Sequence, residues 1–214
     1  MKSIKLVPFV LLLLITLTGN SQDQKKEENP YVTLGQKAVI DGNFKVAVSH
    51  LEKSLPKENS NADVLYMLGY SYYHSGDYAK AVSTFGQVVS LRPAMIAAYY
   101  FRGKARSQIA VQMNTNLANA EREKLLLAAI KDFTKSIELN SEDPKLFQNR
   151  AIAYRDLGIL KGQKIPKFYD KALAAQSFTS CIADLQRVLD TNPARKDIVD
   201  EMKKAKVYKT NLDN

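Results

Sequence analysis

Residues 61–93 read NADVLYMLGYSYYHSGDYAKAVSTFGQVVSLRP and contain two short apolar-periodic runs on either side of a Ser-Gly-Asp turn at 75–77. Within each run the apolar residues recur every three or four positions, which places them on one face of a helix. They are Leu65, Leu68, Gly69 and Tyr72, then Tyr78, Ala81, Phe85, Val88 and Val89. Gly76 can adopt the positive φ angle that ends a helix, and Asp77 can cap the next helix. The stretch therefore predicts a helical hairpin.

A copy of this pattern lies 34 residues upstream, where Gly35 corresponds to Gly69. The other pairs at this offset are Leu34 and Leu68, Gly42 and Gly76, Phe44 and Tyr78, Ala47 and Ala81, and Leu51 and Phe85. A single hairpin cannot bury both of its apolar faces, whereas stacked copies share a continuous core. The matches favour an internal repeat over an unrelated helical bundle whose periodicity arose by chance.

The period and the residue types resemble the tetratricopeptide repeat (TPR) family. The resemblance implies an all-α, right-handed solenoid of helical hairpins. In that family a small residue at the positions of Gly69 and Ala81 lets two helices approach, and a large residue at the position of Phe85 fills the space between neighbours. We expect four repeats, at about 30–59, 61–93, 94–143 and 144–193, and a capping helix over 194–210 with a polar outer face.

The third and fourth repeats carry insertions between their paired helices. Ala129 stands where the period predicts position 115, so 14 residues have been added, and we expect two longer helices that meet near 114–119. In the fourth repeat Cys181 arrives 18 residues late. We expect its first helix to end at Gly158, a loop from about 161, and a second helix that begins near Phe168. Residues 56–60 are expected to form the turn after the first repeat.

The N-terminal residues MKSIKLVPFVLLLLITLTGNSQ have the layout of a secretory signal peptide. A basic start precedes an apolar run at 6–17, which is too short to cross a membrane comfortably. We expect cleavage after Ser21, a flexible tether at 22–29, and export to the periplasm or envelope of a bacterium. The alternative is an uncleaved N-terminal anchor, and only in that case do we expect attachment to a membrane.

The sequence contains no catalytic or metal-binding motif of the HExxH, CxxC, GxSxG or Walker type. Its one cysteine, Cys181, falls where the repeats need a small side chain, which favours a buried apolar role over a nucleophile. We therefore predict a non-enzymatic protein that needs no cofactor and no metal.

The TPR resemblance also implies a concave wall, lined by the first helix of each hairpin, that binds an extended peptide or a partner helix. The predicted contact residues are Gln36, Tyr66, Tyr70, Tyr73, His74, Tyr100, Lys104, Gln108 and Arg155, with Val32, Val39, Gln148 and Ile152 beside them. The spacing of Tyr66, Tyr70 and Tyr73 puts three rings on one helix face, and tyrosine is enriched at binding surfaces. The alternative is that these rings only pack against a neighbouring hairpin or the mature N-terminal tail.

The formal net charge of +9 allows a second hypothesis. Four lysines cluster in the predicted capping helix, at Lys203, Lys204, Lys206 and Lys209. They could bind anionic envelope polymers or lipid headgroups, although a solvated outer face explains the cluster more simply. We do not expect nucleic acid to be the partner of an exported chain, so another protein is the predicted partner.

Overall fold

The computed structural model describes residues 29–112, 116–140 and 142–213. These ranges contain nine α-helices and no strand. The helices are α1 (Pro30–Ile40), α2 (Phe44–Glu58), α3 (Ala62–Ser75), α4 (Tyr78–Leu91), α5 (Ile96–Val111), α6 (Asn119–Leu139), α7 (Pro144–Gly162), α8 (Lys171–Thr191) and α9 (Lys196–Thr210). None of these helices is both long enough and apolar enough to cross a membrane. The expected signal peptide, its cleavage site and most of the tether lie outside the described residues.

Local signals in the sequence set the helix ends of the second hairpin. The Asn61 side chain accepts hydrogen bonds from the backbone N–H groups of Asp63 and Val64, which satisfies donors at the start of α3. Gly76 ends that helix with a φ of 88°, in the left-handed region where a residue without Cβ is unstrained. The Asp77 side chain then accepts from the backbone N–H of Lys80 and caps α4. This turn is therefore short and well defined.

A glycine allows the paired helices to approach closely in each of the four hairpins. A Cβ atom on Gly35 would lie 2.6 Å from the Leu51 side chain, and one on Gly69 would lie 3.0 Å from the Phe85 ring. The third hairpin has the same arrangement at Gly103, 3.0 Å from the Phe133 ring. In the fourth hairpin Gly158 takes this role, with 2.8 Å to the Phe178 ring. The four hairpins thus use one packing rule: a small residue against a large one.

Successive hairpins stack so that each odd-numbered helix contacts the next odd-numbered helix, from α1 to α7. Even-numbered helices do not pack against one another to the same extent in the described ranges. The odd-numbered helices therefore line the inner wall of the solenoid. Helix α9 packs on α8 and buries Ile198, Met202 and Ala205, while Tyr208 is 42% exposed and its ring stacks on Phe178.

Two helices are longer than the sequence predicted, and a third starts later. Helix α2 continues through Pro56 to Glu58, because Ser54 and Leu55 remain packed against the core. Helix α7 continues to Gly162 rather than ending at Gly158, because Leu157 and Leu160 are buried in a second core cluster. Helix α8 begins at Lys171, where the Asp170 side chain accepts from the Leu173 N–H. The expected meeting point of α5 and α6 falls partly on 113–115, outside the described residues.

Candidate functional site

Three tyrosines on α3 meet one phenylalanine on α5 at the inner wall. Tyr66, Tyr70 and Tyr73 are spaced by four and three residues, so their rings project from one helix face. The Phe101 ring lies 6.4, 5.0 and 5.5 Å from these three rings, measured between centroids. Phe101 therefore joins the third hairpin to the tyrosine face of the second.

The first hairpin extends this surface. Phe44, the first residue of α2, stacks on His74 with ring centroids 4.6 Å apart. Tyr70 lies 4.3 Å from the same imidazole. We call the surface formed by Phe44, Tyr66, Tyr70, Tyr73, His74 and Phe101 the aromatic wall. It draws side chains from three consecutive hairpins and is continuous across their junctions.

The tyrosines of the aromatic wall are only partly used by the fold. Their rings are half-buried and pack against the first core cluster, and burial raises the pKa of Tyr66 and of Tyr73. The hydroxyl groups of Tyr66, Tyr70 and Tyr73 have no hydrogen-bond partner within the described residues, and none of them is sealed from solvent. Each ring thus offers apolar area beside a polar group that is free to bond.

One cation stands over this surface. The Lys104 Nζ atom lies 5.3 Å from the centroid of the Tyr73 ring, 5.4 Å from Tyr100 and 5.9 Å from Phe101, within cation–π range. Lys104 forms no ion pair with any described residue. Burial, and then the charge of Lys104, lower the pKa of His74. The wall therefore presents a positive charge that no carboxylate of the described chain neutralises.

The structure gives other predicted contact residues different surroundings. The Tyr100 hydroxyl accepts from Asn149 Nδ2 at 3.3 Å, so this residue ties α5 to α7. Gln36 is exposed on α1 and Gln108 is half-buried on α5. Tyr66, Tyr70, Tyr73, His74, Tyr100 and Lys104 form one contact network, whereas Gln36 and Gln108 make no side-chain hydrogen bond with the described residues.

Arg155 lies at the other end of the solenoid and already has partners. Its guanidinium donates to Asp156 at 2.9 Å and to Glu201 of α9 at 2.6 Å. Burial opposes the charged form, but the two carboxylates outweigh it and raise the pKa of Arg155. This pair borders a cavity of about 60 Å³ that Cys181 also lines. Burial raises the pKa of the Cys181 thiol to about 12, which makes it a poor nucleophile.

Sequence reasoning missed Phe101 and Phe44 as members of the wall. Phe101 lies three residues after Ala98 and four before Ala105, and both alanines are completely buried. That spacing marks the stripe of α5 that packs against the preceding hairpin. Phe44 is the equivalent of Tyr78, whose ring contacts Tyr73 at 5.5 Å. The sequence pattern therefore marked both residues as positions that pack between helices, and not as positions on the concave wall.

The basic helix α9 is less uniformly positive than its sequence indicates. Lys203 lies 3.3 Å from Asp200 and Lys204 lies 2.9 Å from Glu201. Lys206 and Lys209 are exposed.

No group of His, Cys, Asp and Glu side chains with the geometry of a metal site occurs within the ranges that the structure describes.

Comparison with known proteins identifies the repeat. Residues 62–94, the second hairpin, match the family model of the tetratricopeptide repeat. A stretch of 85 residues is 32% identical to photosystem I assembly protein Ycf3 of Acaryochloris marina, covering 38% of this chain and 51% of that protein. The chain thus spans about half the length of this curated relative.

Solved structures share most of the architecture at low identity. MamA residues 41 to the end, from Desulfovibrio magneticus RS-1, superimpose with a TM-score of 0.60 at 19% identity, covering 86% of this chain and 91% of that one. TTC0263, a TPR protein from Thermus thermophilus, gives 0.50 at 16% identity, with 83% and 98% covered. The fold is an all-α TPR solenoid, which confirms the fold class predicted from the sequence.

Proposed function

We propose that this TPR solenoid is a non-enzymatic module that holds a segment of a partner protein against its inner wall. The observation that carries the proposal is the aromatic wall with Lys104 above it. The wall combines half-buried tyrosine and phenylalanine rings, which are enriched at protein-binding surfaces, with unbonded hydroxyl groups and an unpaired cation that can bond to a partner. Contiguous aromatic surface of this kind is characteristic of interaction sites on soluble proteins.

The chemistry of the wall defines the partner segment that fits it. Apolar side chains of the partner would cover the rings of Tyr70, Tyr73 and Phe101, and its backbone would bond to the tyrosine hydroxyls. A carboxylate of the partner would pair with Lys104. Because the ring faces reduce access of water to this ammonium group, the pair would be stronger than one on an open surface. The expected ligand is therefore a peptide or helix with an apolar residue next to an acidic one.

Arg155 has a smaller part in this proposal than in the sequence-based prediction, which named it as a contact residue. It would have to leave Asp156 and Glu201 before it could bind an acidic partner group. Lys104 needs no such exchange, so we assign the principal acidic contact to Lys104. The partial relative is named as an assembly protein, which supports a scaffold role of the same general kind.

We also propose that the chain is exported, on the strength of its N-terminal sequence. Mass spectrometry of the protein from its native cells tests this. A mature chain that begins at Gln22 supports cleavage after Ser21, and a chain that retains its N-terminal apolar run contradicts it. The second outcome leaves the protein-binding proposal standing, because the aromatic wall lies entirely in α2, α3 and α5.

Affinity purification with matched variants tests the binding proposal. The groove variant Tyr73→Ala/Lys104→Gln removes one ring and the unpaired cation. Its control is Tyr99→Ala/Lys131→Gln, which removes the same residue types from the other side of the third hairpin. Proteins retained by the wild type and by the control, but reduced about tenfold or more with the groove variant, support the proposal. Equal retention by all three chains, each with an unchanged helical spectrum, overturns it.

A further inference from the structure

A crevice of about 620 Å³ lies on the side of α5 that faces away from the aromatic wall. A step of two residues turns a helix by about 200°, so Arg102 and Arg106 project opposite Tyr100 and Lys104. Helix α6 forms the other side. The lining residues are Tyr99, Arg102, Arg106, Ala128, Lys131, Asp132, Thr134, Lys135 and Glu138.

The crevice contains more positive than negative charge. Part of this excess arises because two arginines share one buried carboxylate. Asp132 accepts from Arg102 Nη2 at 2.6 Å and from Arg106 Nη1 at 2.6 Å. Its side chain is 3% exposed, and the side chains of Arg102 and Arg106 are 15% and 22% exposed. One negative charge therefore serves two partly buried cations, which leaves one of them uncompensated.

The fourth hairpin shows that the second arginine is not needed for the packing. There Arg150 donates to both oxygens of Asp184, at 2.8 and 2.7 Å, and Tyr154 takes the place equivalent to Arg106. The hydrogen bond to Asp184 raises the pKa of Arg150, whereas burial, with a contribution from Arg102, lowers the pKa of Arg106. The third hairpin thus carries one more cation than the same packing requires.

Arg106 also has hydrogen-bond donors to spare. Only its Nη1 atom is engaged, with Asp132 and with the Ala128 carbonyl at 3.3 Å. Its Nε and Nη2 atoms have no acceptor in the described part of the chain, and neither is buried away from solvent. Lys131, on the rim, is exposed and forms no ion pair with the described residues. Lys135 is already paired with Glu138 at 3.1 Å.

We propose that this crevice binds a phosphate group, with Arg106 and Lys131 as its principal ligands. The lining carries two more positive than negative side chains, which matches the charge of a phosphate dianion. The planar fork of a guanidinium suits phosphate oxygens, and lysine binds them as a point charge. The phosphate belongs either to a free anion or to a lipid headgroup. Because the crevice and the aromatic wall lie on opposite sides of α5, both can be occupied together.

Titration with inorganic phosphate tests the site directly. Wild-type chain, Arg106→Tyr, Lys131→Gln and Lys104→Gln are titrated at low ionic strength, and amide shifts of α5 and α6 are followed by NMR. The Arg106→Tyr variant installs the residue of the fourth hairpin, and Lys131→Gln changes only an exposed side chain. Loss of a hydrogen bond to a charged ligand weakens binding about tenfold or more. We expect that loss in the first two variants and unchanged binding in Lys104→Gln, the control from the opposite side of α5.

Vesicle flotation separates the two sources of phosphate. Co-flotation with phosphatidic acid vesicles, absent with phosphatidylcholine and reduced in both crevice variants, assigns a headgroup. Saturable binding of inorganic phosphate without flotation assigns a free anion. The proposal is overturned if the wild type shows no saturable binding of either probe, or if it binds them no better than the Arg106→Tyr/Lys131→Gln double variant. Neither result bears on the aromatic wall, which the affinity purification tests separately.

Discussion

The second and third hairpins keep the same close helix approach although different side chains surround it. A Cβ on Gly69 or on Gly103 would meet the facing phenylalanine ring at the same distance, 3.0 Å. One position before each partner of this contact, the second hairpin has Leu68 and Thr84, whereas the third has Arg102 and Asp132. A buried leucine and a buried threonine in one repeat are replaced by an ion pair in the next.

The fourth hairpin repeats the substitution, with Arg150 and Asp184 in the same two places. In the fourth hairpin these two places adjoin Ala151 and Leu185, and the contact of Gly158 with Phe178 lies seven residues from them. Because a glycine still faces a large ring in all three hairpins, this approach determines the spacing of the paired helices. The adjoining pair is free to be apolar or ionic, provided that its two members change together. The comparison thus separates a geometric requirement of the repeat from a chemical choice that differs between repeats.

Removing one member of the ionic pair should have the largest effect on stability. Asp184→Ala leaves Arg150, whose side chain is only 18% exposed, without its carboxylate. Breaking a buried pair in this way costs about 3–5 kcal/mol. The control is Thr84→Ala at the equivalent place in the second hairpin, which should cost about 1 kcal/mol. Urea denaturation measures both, and equal losses would show that the ionic pair behaves like an ordinary core contact.

A methyl group on either glycine should have the next largest effect. Gly69→Ala and Gly103→Ala each force an aromatic ring to move, and overpacking of this kind costs about 1–3 kcal/mol. We expect the two costs to be equal, because a Cβ would lie at the same distance from the facing ring in both hairpins. Gly86→Ala is the control, because a Cβ there meets nothing within 4 Å, and it should stabilise α4 by about 0.5–1 kcal/mol. Clearly unequal costs would mean that the flanking pair affects the approach.

Exchanging the whole pair should have a smaller effect than breaking it. Arg150→Leu/Asp184→Thr gives the fourth hairpin the side chains of the second. Replacing a buried ion pair by packed side chains is commonly neutral or stabilising, so we expect a free energy of unfolding within about 1 kcal/mol of the wild type or above it. A loss as large as that of Asp184→Ala would contradict the idea that the pair is interchangeable.

The sequence predicted the hairpins well because their signal is a periodic pattern of small and large residues. The resemblance to the TPR family implied a small residue at Gly69 and a large one at Phe85, and the 34-residue offset carried both to Gly35 and Leu51. The ionic pair was missed for a physical reason. A hydrophobic pattern predicts that charged residues such as Arg102 and Asp132 lie at the surface. Their burial is energetically possible only because the two side chains pair with each other.

The candidate site was less predictable because it depends on contacts between hairpins. The tyrosines of α3 could be assigned to one face from their spacing, but the position of Phe101 among them depends on how the third hairpin docks. Arg155 was predicted to be a contact residue of the concave wall. Its contact with Glu201 joins residues 46 positions apart and exists only because α9 packs beside α7. A contact between residues so far apart in the sequence cannot be predicted from a local pattern.

Titration of His74 tests the junction of the second and third hairpins at the aromatic wall, and its effect should be the smallest. The pKa of His74 is lowered below 6.5, first by burial and then by Lys104, which belongs to the third hairpin. The unfolded chain therefore binds the proton at a higher pH than the folded chain does. Stability should fall slightly as the pH drops through 6.5 towards the folded-state pKa, and only slightly because much of His74 remains exposed to solvent.

The junction can be isolated with two lysine variants and the NMR titration of the His74 ring protons. In Lys104→Gln the midpoint should rise only part of the way towards 6.5, because burial is the larger cause and persists in the variant. In Lys131→Gln, on the other side of the third hairpin, it should not change. If the His74 midpoint is the same in Lys104→Gln as in the wild type, the charge of Lys104 in the third hairpin does not affect the imidazole in the second. The acidic contact assigned to Lys104 would then lie apart from His74, and only the rings would connect the two hairpins at the wall.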